Sequence, residues 1–375
     1  MVKSTSFLLL ALSTFLVACA QSRRNNDIAV NDENSRFYTV ETVVDNLSNP
    51  WGMTWLPDGA MLITEKSGTL IHFKDGQKTT VDGLPDIYVR GQGGLLDIEL
   101  HPDYSENQWI YITHSSADGG GSGGNTQLIR AQLDGFSLTN VTVLYKATPN
   151  SRRGQHFGSR IEFDNEGYLY FSVGDRGNRD VNPQDITRDN GKIYRLRDDG
   201  RIPEDNPFVN ESGAKKAIYS YGHRNPQGIA KHPETGEIWL HEHGPKGGDE
   251  INITRKGANF GWPVISYGVN YSGTKFTDET ERPGMEQPVY YWTPSIAPCG
   301  MTFVTGDRYP DWKGHLLVGS LKFNYVELVK LDGNAVIARE KIAQDIGRVR
   351  NVKMGPDHYV YVALEGQGIV RLVPK

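Results

Sequence analysis

The chain has 375 residues, with 40 Lys plus Arg against 45 Asp plus Glu, a formal net charge of −5, and 37% hydrophobic and 23% charged residues. That balance lacks the basic footprint of a nucleic-acid binder and carries enough apolar residues for a packed core, which excludes a disordered chain. With 42 Gly, 19 Pro, 18 Tyr and 7 Trp it favours many short strands joined by tight turns, an all-β architecture, over long helices.

Residues 1–18 read as an export signal. Lys3 is the charged head, and the apolar run 7–18 is too short to span a bilayer and leads into 16–19 (LVAC). This junction resembles the lipobox of bacterial lipoproteins, in which the cysteine, here Cys19, is lipidated and becomes the new N-terminus; an ordinary signal peptide cleaved nearby is the alternative. Ala20 and Gln21 stand where an Asp would retain such a protein at the inner membrane. By that resemblance the protein faces the periplasm from the outer membrane and touches lipid through Cys19. Residues 19–35 are polar, as a tether should be, and a folded domain is expected over 36–375. Cys299, left without a partner, is expected to be a small packed residue.

From residue 37 onward one pattern recurs: a short apolar strand, a turn built on Pro, Asp, Asn or Gly, and a strand of alternating β-branched or aromatic residues. It occurs at 51–65 (WGMTWLPDGAMLITE), 95–114, 159–175 (SRIEFDNEGYLYFSVGD), 227–244, 301–320 and 349–366 (VRNVKMGPDHYVYVALEG). Period-two alternation around a polar turn is a hairpin signature, and the chain between the hairpins leaves room for two further strands each. Six such units predict a six-bladed β-propeller with four-stranded antiparallel blades. The segment 37–44 (FYTVETVV) precedes the first unit and is expected to pair with the last one, closing the ring. Residues 118–125 (DGGGSGGN) read as a flexible loop tip. The long aromatic segment 257–298 is expected to wall a pocket.

Ten histidines are present. His101 and His232 precede Pro in hairpin turns, and His72, His114, His315 and His358 lack polar company, so all six are expected to be structural. His156 differs. It opens the hairpin that Asp175 ends, and across an antiparallel hairpin those two ends are neighbours, so Asp175 can reach the imidazole and fix its tautomer. An imidazole oriented in this way can act as a general base; the same spacing also suits a buried pair that merely staples two strands.

In 221–228 (YGHRNPQG), Arg224 and Asn225 form a donor cluster suited to carboxylate or carbonyl oxygens, or else a hydrogen-bonded turn. His241 and His243 share a strand face and could hold a transition metal, although spacing supplies no third ligand. The turn Gly244-Pro245 offers carbonyl oxygens that suit a hard cation such as Ca²⁺. Lys322, Arg348 and Arg350 would converge only if the repeats curve about a common axis. Convergence would require a multiply anionic ligand; spread over an outer surface they would be solvated charges.

These motifs, in this order, resemble those of the soluble quinoprotein glucose dehydrogenases, and more closely those of the bacterial aldose sugar dehydrogenases that use pyrroloquinoline quinone (PQQ). The resemblance covers 49–372 and rests on GQGGLLDIELHPDY, HFGSRIEFDNEGYLYFSVGDRG, YGHRNPQG, EHGPKGGDEIN, SLK and GRVRN. It implies PQQ lying over the propeller axis and oxidation of the C1 hydroxyl of an aldose to a lactone, with hydride passing to the quinone. It further implies that His156 is the base, that Asp175 orients it, and that Arg224 and Asn225 contact the quinone's reactive carbonyl side. Gln92 lies near the active site by the same resemblance, and Lys322, Arg348 and Arg350 hold the cofactor's carboxylates. Gly244 and Pro245 supply carbonyl ligands to a Ca²⁺ that bridges to the quinone, while Asp249 and Glu250 read as structural. Gln155 departs from the acid of the glucose dehydrogenase branch, and the resemblance implies an aldose as substrate and a separate electron acceptor.

Two other readings make different demands. A Ca²⁺-dependent lactonase needs a ring of Asp, Glu and Asn around its metal, where this sequence offers His and cations. A non-catalytic propeller that binds protein or glycan gives His156 and Asp175 no reason to meet.

Overall fold

Each hairpin seen in the sequence forms the inner half of a four-stranded antiparallel sheet, and six such sheets make the blades of a β-propeller. The structure, a computed structural model, describes residues 30–31 and 37–375. Cys19, the export signal and most of the polar tether lie outside the described residues. The first five blades occupy 50–81, 95–146, 161–221, 226–292 and 298–342, each winding outward in chain order, and 349–374 supplies three strands of the sixth.

The fourth strand of the sixth blade comes from the other end of the domain. Tyr38–Asp45 pairs antiparallel with Gly368–Pro374, Tyr38 opposite Pro374 and Asp45 opposite Gly368. This is the ring closure expected for 37–44. The inner strands touch one another in cyclic order, the last returning to the first. Val30–Asn31 adds a short parallel strand along Ala335–Ile342 in the fifth blade.

Both faces of an inner blade strand are covered by neighbouring blades, so residues that would alternate in an open sheet are buried throughout. Met61–Glu65, Leu169–Val173 and Val360–Leu364 are buried at every position. One apolar cluster fills each of the six junctions between blades, for example Leu62, Leu95 and Ile112 between the first and second. At the closing seam Val44, Met53, Ile63 and Ile369 join the sixth blade to the first. Burying one such side chain fully is worth about 1.5 to 3 kcal/mol, so each junction is held by many small terms.

The segment 257–298 is not wholly loop. Tyr290–Trp292 is the outer strand of the fourth blade, paired with Asp249–Ile253, and three residues are too few for alternation to show in sequence. In every blade the first strand begins and the second ends on the same face, because the two are antiparallel. Residues just before the first strand and just after the second therefore gather around one end of the axis.

Candidate active site

His156 precedes the inner strand Ile161–Phe163, and Asp175 follows its partner Leu169–Val173. The structure places His156 Nδ1 2.6 Å from Asp175 Oδ1. The carboxylate also accepts Gly177 N–H at 2.6 Å and Trp262 Nε1–H at 2.9 Å. An ionised Asp175 accepts a hydrogen bond from Nδ1–H, which leaves the ring's lone pair on Nε2. Burial would push the Asp175 carboxyl up, but the adjacent His156 and Arg224 outweigh it and hold it below the usual range. For His156, burial and then the Arg224 charge press the imidazole down against the pull of Asp175. The resting pair is neutral imidazole with carboxylate.

The backbone of this segment is built for position. His156 has φ +58, a left-handed conformation uncommon for a non-glycine residue. Its N–H donates to Gln92 Oε1 at 2.7 Å, while Gln92 N–H donates to Gly154 O at 2.7 Å, so the loops before the second and third blades interlock. A Cβ on Gly174 would collide with the His156 carbonyl, which is why the hairpin must end in glycine before Asp175. Asn225 Oδ1 accepts Gly158 N–H at 3.1 Å. Arg176, fully buried, packs its guanidinium on Phe157 and donates to the carbonyls of Gln155, Gly124 and Arg153.

His156, Asp175, Arg224 and Pro245 line a cavity of about 280 Å³, walled by Trp262, Asn270 and Tyr271 of the long aromatic segment. Arg224 donates Nη1–H to His243 O at 3.0 Å, and its backbone N–H to Glu242 Oε2 at 2.6 Å.

A second cavity, of about 200 Å³, includes Gln92, Lys66, Arg348, Arg350 and Glu365 in its lining. Arg348 Nε donates to Glu365 Oε2 at 2.6 Å and Arg350 Nε to Glu365 Oε1 at 2.8 Å, so the two arginines converge on one carboxylate. Burial, and next to it the Arg350 charge, presses the Lys66 ammonium pKa down. Three cations against one carboxylate leave a positive surplus that an anion would relieve. Lys322 does not line this cavity. It is exposed beside it, next to Leu321, whose carbonyl accepts from Arg348 Nη1 at 2.9 Å, and its Nζ lies 4.8 Å from the Phe323 ring centroid.

The N–H groups of the Gly244-Pro245 turn are spent: Gly244 N donates to Asp249 Oδ1 at 2.8 Å, Pro245 has none, and Lys246 N donates to Val269 O at 3.1 Å. Among the described residues neither Gly244 O nor Pro245 O accepts a hydrogen bond, so both oxygens keep their acceptor capacity. Asp249 is taken up by Gly244, Ser295, Ile296 and Ala297. His241 and His243 face Gly300 O (3.2 Å) and Pro298 O (2.6 Å), and no group of three or more His, Cys, Asp or Glu is placed to hold a metal among the described residues.

Three residues here were not singled out in the sequence. Trp262 falls in the segment expected to wall a pocket, but its contact with a carboxylate 87 positions away had no local signal. Lys66 and Glu365 each directly follow the second strand of a blade, the place Asp175 approaches in the third, so the same hairpin logic would have found them.

The sequence profile described as Glucose / Sorbosone dehydrogenase matches residues 47–371. The aldose sugar dehydrogenase YliI of Escherichia coli (strain K12) is 42% identical over 330 residues, covering 86% of this chain and 89% of the relative. The crystal structure of the soluble aldose sugar dehydrogenase from Escherichia coli in its apo form matches at TM-score 0.85 and 38% identity, over 90% of this chain and 100% of that one. The PQQ-bound aldose sugar dehydrogenase of Streptomyces coelicolor matches at TM-score 0.73 and 26% identity, over 90% and 98%. The chain belongs to the glucose/sorbosone dehydrogenase family.

Proposed function

We propose that the protein is a quinoprotein oxidoreductase that converts the C1 hydroxyl of aldoses to lactones. The observation that carries this reading is the His156–Asp175 pair at 2.6 Å, opening on one cavity and joined through Gln92 to a second with surplus positive charge. When bound, PQQ supplies the two-electron oxidant and Ca²⁺ a Lewis acid that draws electron density from it. Lys66, Arg348 and Arg350 suit a ligand bearing several carboxylates, Lys322, which follows the Leu321 whose carbonyl Arg348 holds, would be a further cation for it, and the carbonyls of Gly244 and Pro245 suit the cation. His156 Nε2 takes the proton from the sugar's O1 as hydride departs from C1 and the C1–O double bond forms. Asp175 then holds the imidazolium in register. Arg224, fixed by His243 O at the cavity wall, meets negative charge as it develops, and Asn225 holds the loop that carries the base. Attachment to the outer membrane on the periplasmic side through Cys19 belongs to the same proposal and rests on the sequence of the first 21 residues.

The test is reconstitution. Chelated apoprotein given PQQ with Ca²⁺ should reduce a dye only when an aldose is present, and PQQ without a divalent cation should not support the reaction. Full activity in excess chelator would remove the metal from the reading, and no aldose-dependent reduction under any condition would remove the reading.

Two variants separate the parts. Arg350→Ala leaves Glu365 with one cation fewer and weakens carboxylate binding, an effect of roughly 2 to 5 kcal/mol for a buried charge-assisted contact. The PQQ concentration for half-reconstitution should rise steeply while the sugar KM changes little; the reverse would place the cation on the substrate. Trp262→Phe deletes one donor to Asp175 and should lower kcat roughly tenfold, the effect of losing a hydrogen bond to a charged group. With one donor fewer the carboxylate holds protonated imidazole more firmly, so the acid limb of the rate profile should move to higher pH. An unmoved limb would leave Trp262 as packing.

A further inference from the structure

On a chain of net charge −5, the cavity beside His156 is edged by cations that the proton transfer does not use. Arg179 lies on its wall with about two-thirds of its side chain buried. Its Nη1 donates to Asn270 Oδ1 at 2.8 Å, and its guanidinium sits 4.4 Å from the Phe276 ring centroid. Phe276 in turn packs edge-on against Trp262, at 5.2 Å between centroids, and Trp262 donates to Asp175. The cation is thus built onto the framework that orients the base. A side chain held by an amide and an aromatic face loses little further freedom on meeting a ligand. Among the described residues its carboxylate neighbour is Asp180, 3.5 Å from Nε and 83% exposed, a solvated partner that competes weakly. Arg153 lines the same cavity, and Gln155, also in the lining, is uncharged.

We infer that this cavity selects aldoses that carry a carboxylate, uronic acids with a free C1 hydroxyl, and that Arg179 is the residue that binds the carboxylate. The inference rests on the proposed oxidation at C1 and adds the class of sugar. A planar guanidinium matches a carboxylate through paired N–H donors, and a fixed fork distinguishes that group from a neutral hydroxymethyl. The chemistry at C1 is unchanged: hydride leaves to the quinone, the O1 proton goes to His156, and the carboxylate neither gains nor loses electrons.

Glucose and glucuronate differ only in the group on C5, so they form the test pair. With holoenzyme at low ionic strength, kcat/KM should be higher for glucuronate than for glucose, and added salt should narrow the difference. Arg179→Gln should lower the glucuronate-to-glucose ratio roughly tenfold or more, the effect of losing a charged hydrogen bond. Arg179→Lys, which keeps the charge and checks that the loop still folds, should restore part of it. Calorimetric titration of apoprotein with glucuronate gives a second readout, a salt-dependent affinity weakened in Arg179→Gln. A wild-type ratio at or below one, or the same ratio in Arg179→Gln, overturns the inference while glucose oxidation leaves the function standing. Oxidation of neither sugar overturns both.

Discussion

Replacing His156 with Ala should reduce aldose turnover about 10²- to 10⁴-fold, the usual contribution of a positioned general base, while the protein still takes up PQQ. The two effects separate because the ring lines the first cavity and the groups suited to hold an anion, Lys66, Arg348 and Arg350, line the second. The pH dependence supplies an independent check. Only neutral imidazole can accept the O1 proton, and burial together with the Arg224 charge lowers its pKa. The wild-type rate should therefore hold through neutral pH and fall only as the solution becomes more acidic than the ordinary imidazole range. His156→Ala should lose that acid limb along with the rate. Near-normal turnover in the variant, or an acid limb that survives in it, would show that another group takes the proton.

The hairpin argument that pointed to His156 and Asp175 worked because both lie on one blade, within 19 residues, where strand pairing is a local property. The same locality made the fold readable: the six inner hairpins and the closing strand at 37–44 are all short-range patterns with a fixed period. Contacts between blades are a different matter. Trp262 reaches Asp175 from a loop of the next blade, and Arg179 meets Phe276 nearly a hundred positions away, so no period or spacing announces either. Glu365 shows a subtler failure. Arg348 and Arg350 flank the first residue of one strand and Glu365 closes the same hairpin, so the convergence is local, yet two neighbouring arginines suit an external anion as well as a carboxylate of the chain.

Arg160 is the clearest case of a residue whose role only the closed ring can define, and its removal should be costly. It belongs to the third blade and is 3% exposed. Its guanidinium donates to Gln227 O at 2.9 Å, Trp51 O at 3.2 Å, Asp97 Oδ1 at 3.1 Å and Arg350 O at 2.8 Å, and Nη2 lies 3.7 Å from Cys299 Sγ. Those partners come from the fourth, first, second, sixth and fifth blades, so one side chain touches every other blade near the axis. It also lies 3.9 Å from the Trp51 ring centroid, a further contact for a desolvated cation. Arg160→Ala leaves the Asp97 carboxylate without its cation, although Ile161 N–H still donates to it, and takes a donor from three backbone carbonyls; breaking a buried pair from one side typically costs about 3 to 5 kcal/mol. The urea midpoint should fall accordingly, with little change in slope if the unfolded chain exposes the same surface. Arg160→Met fills most of the volume and can still pack on Trp51 but donates nothing, so it should be nearly as unstable as Ala if the hydrogen bonds matter. Adding Asp97→Asn to either variant should recover part of the loss, because part of it is the stranded charge. A Met variant as stable as the parent would mean that packing around the axis, and not the shared guanidinium, holds the six blades in register.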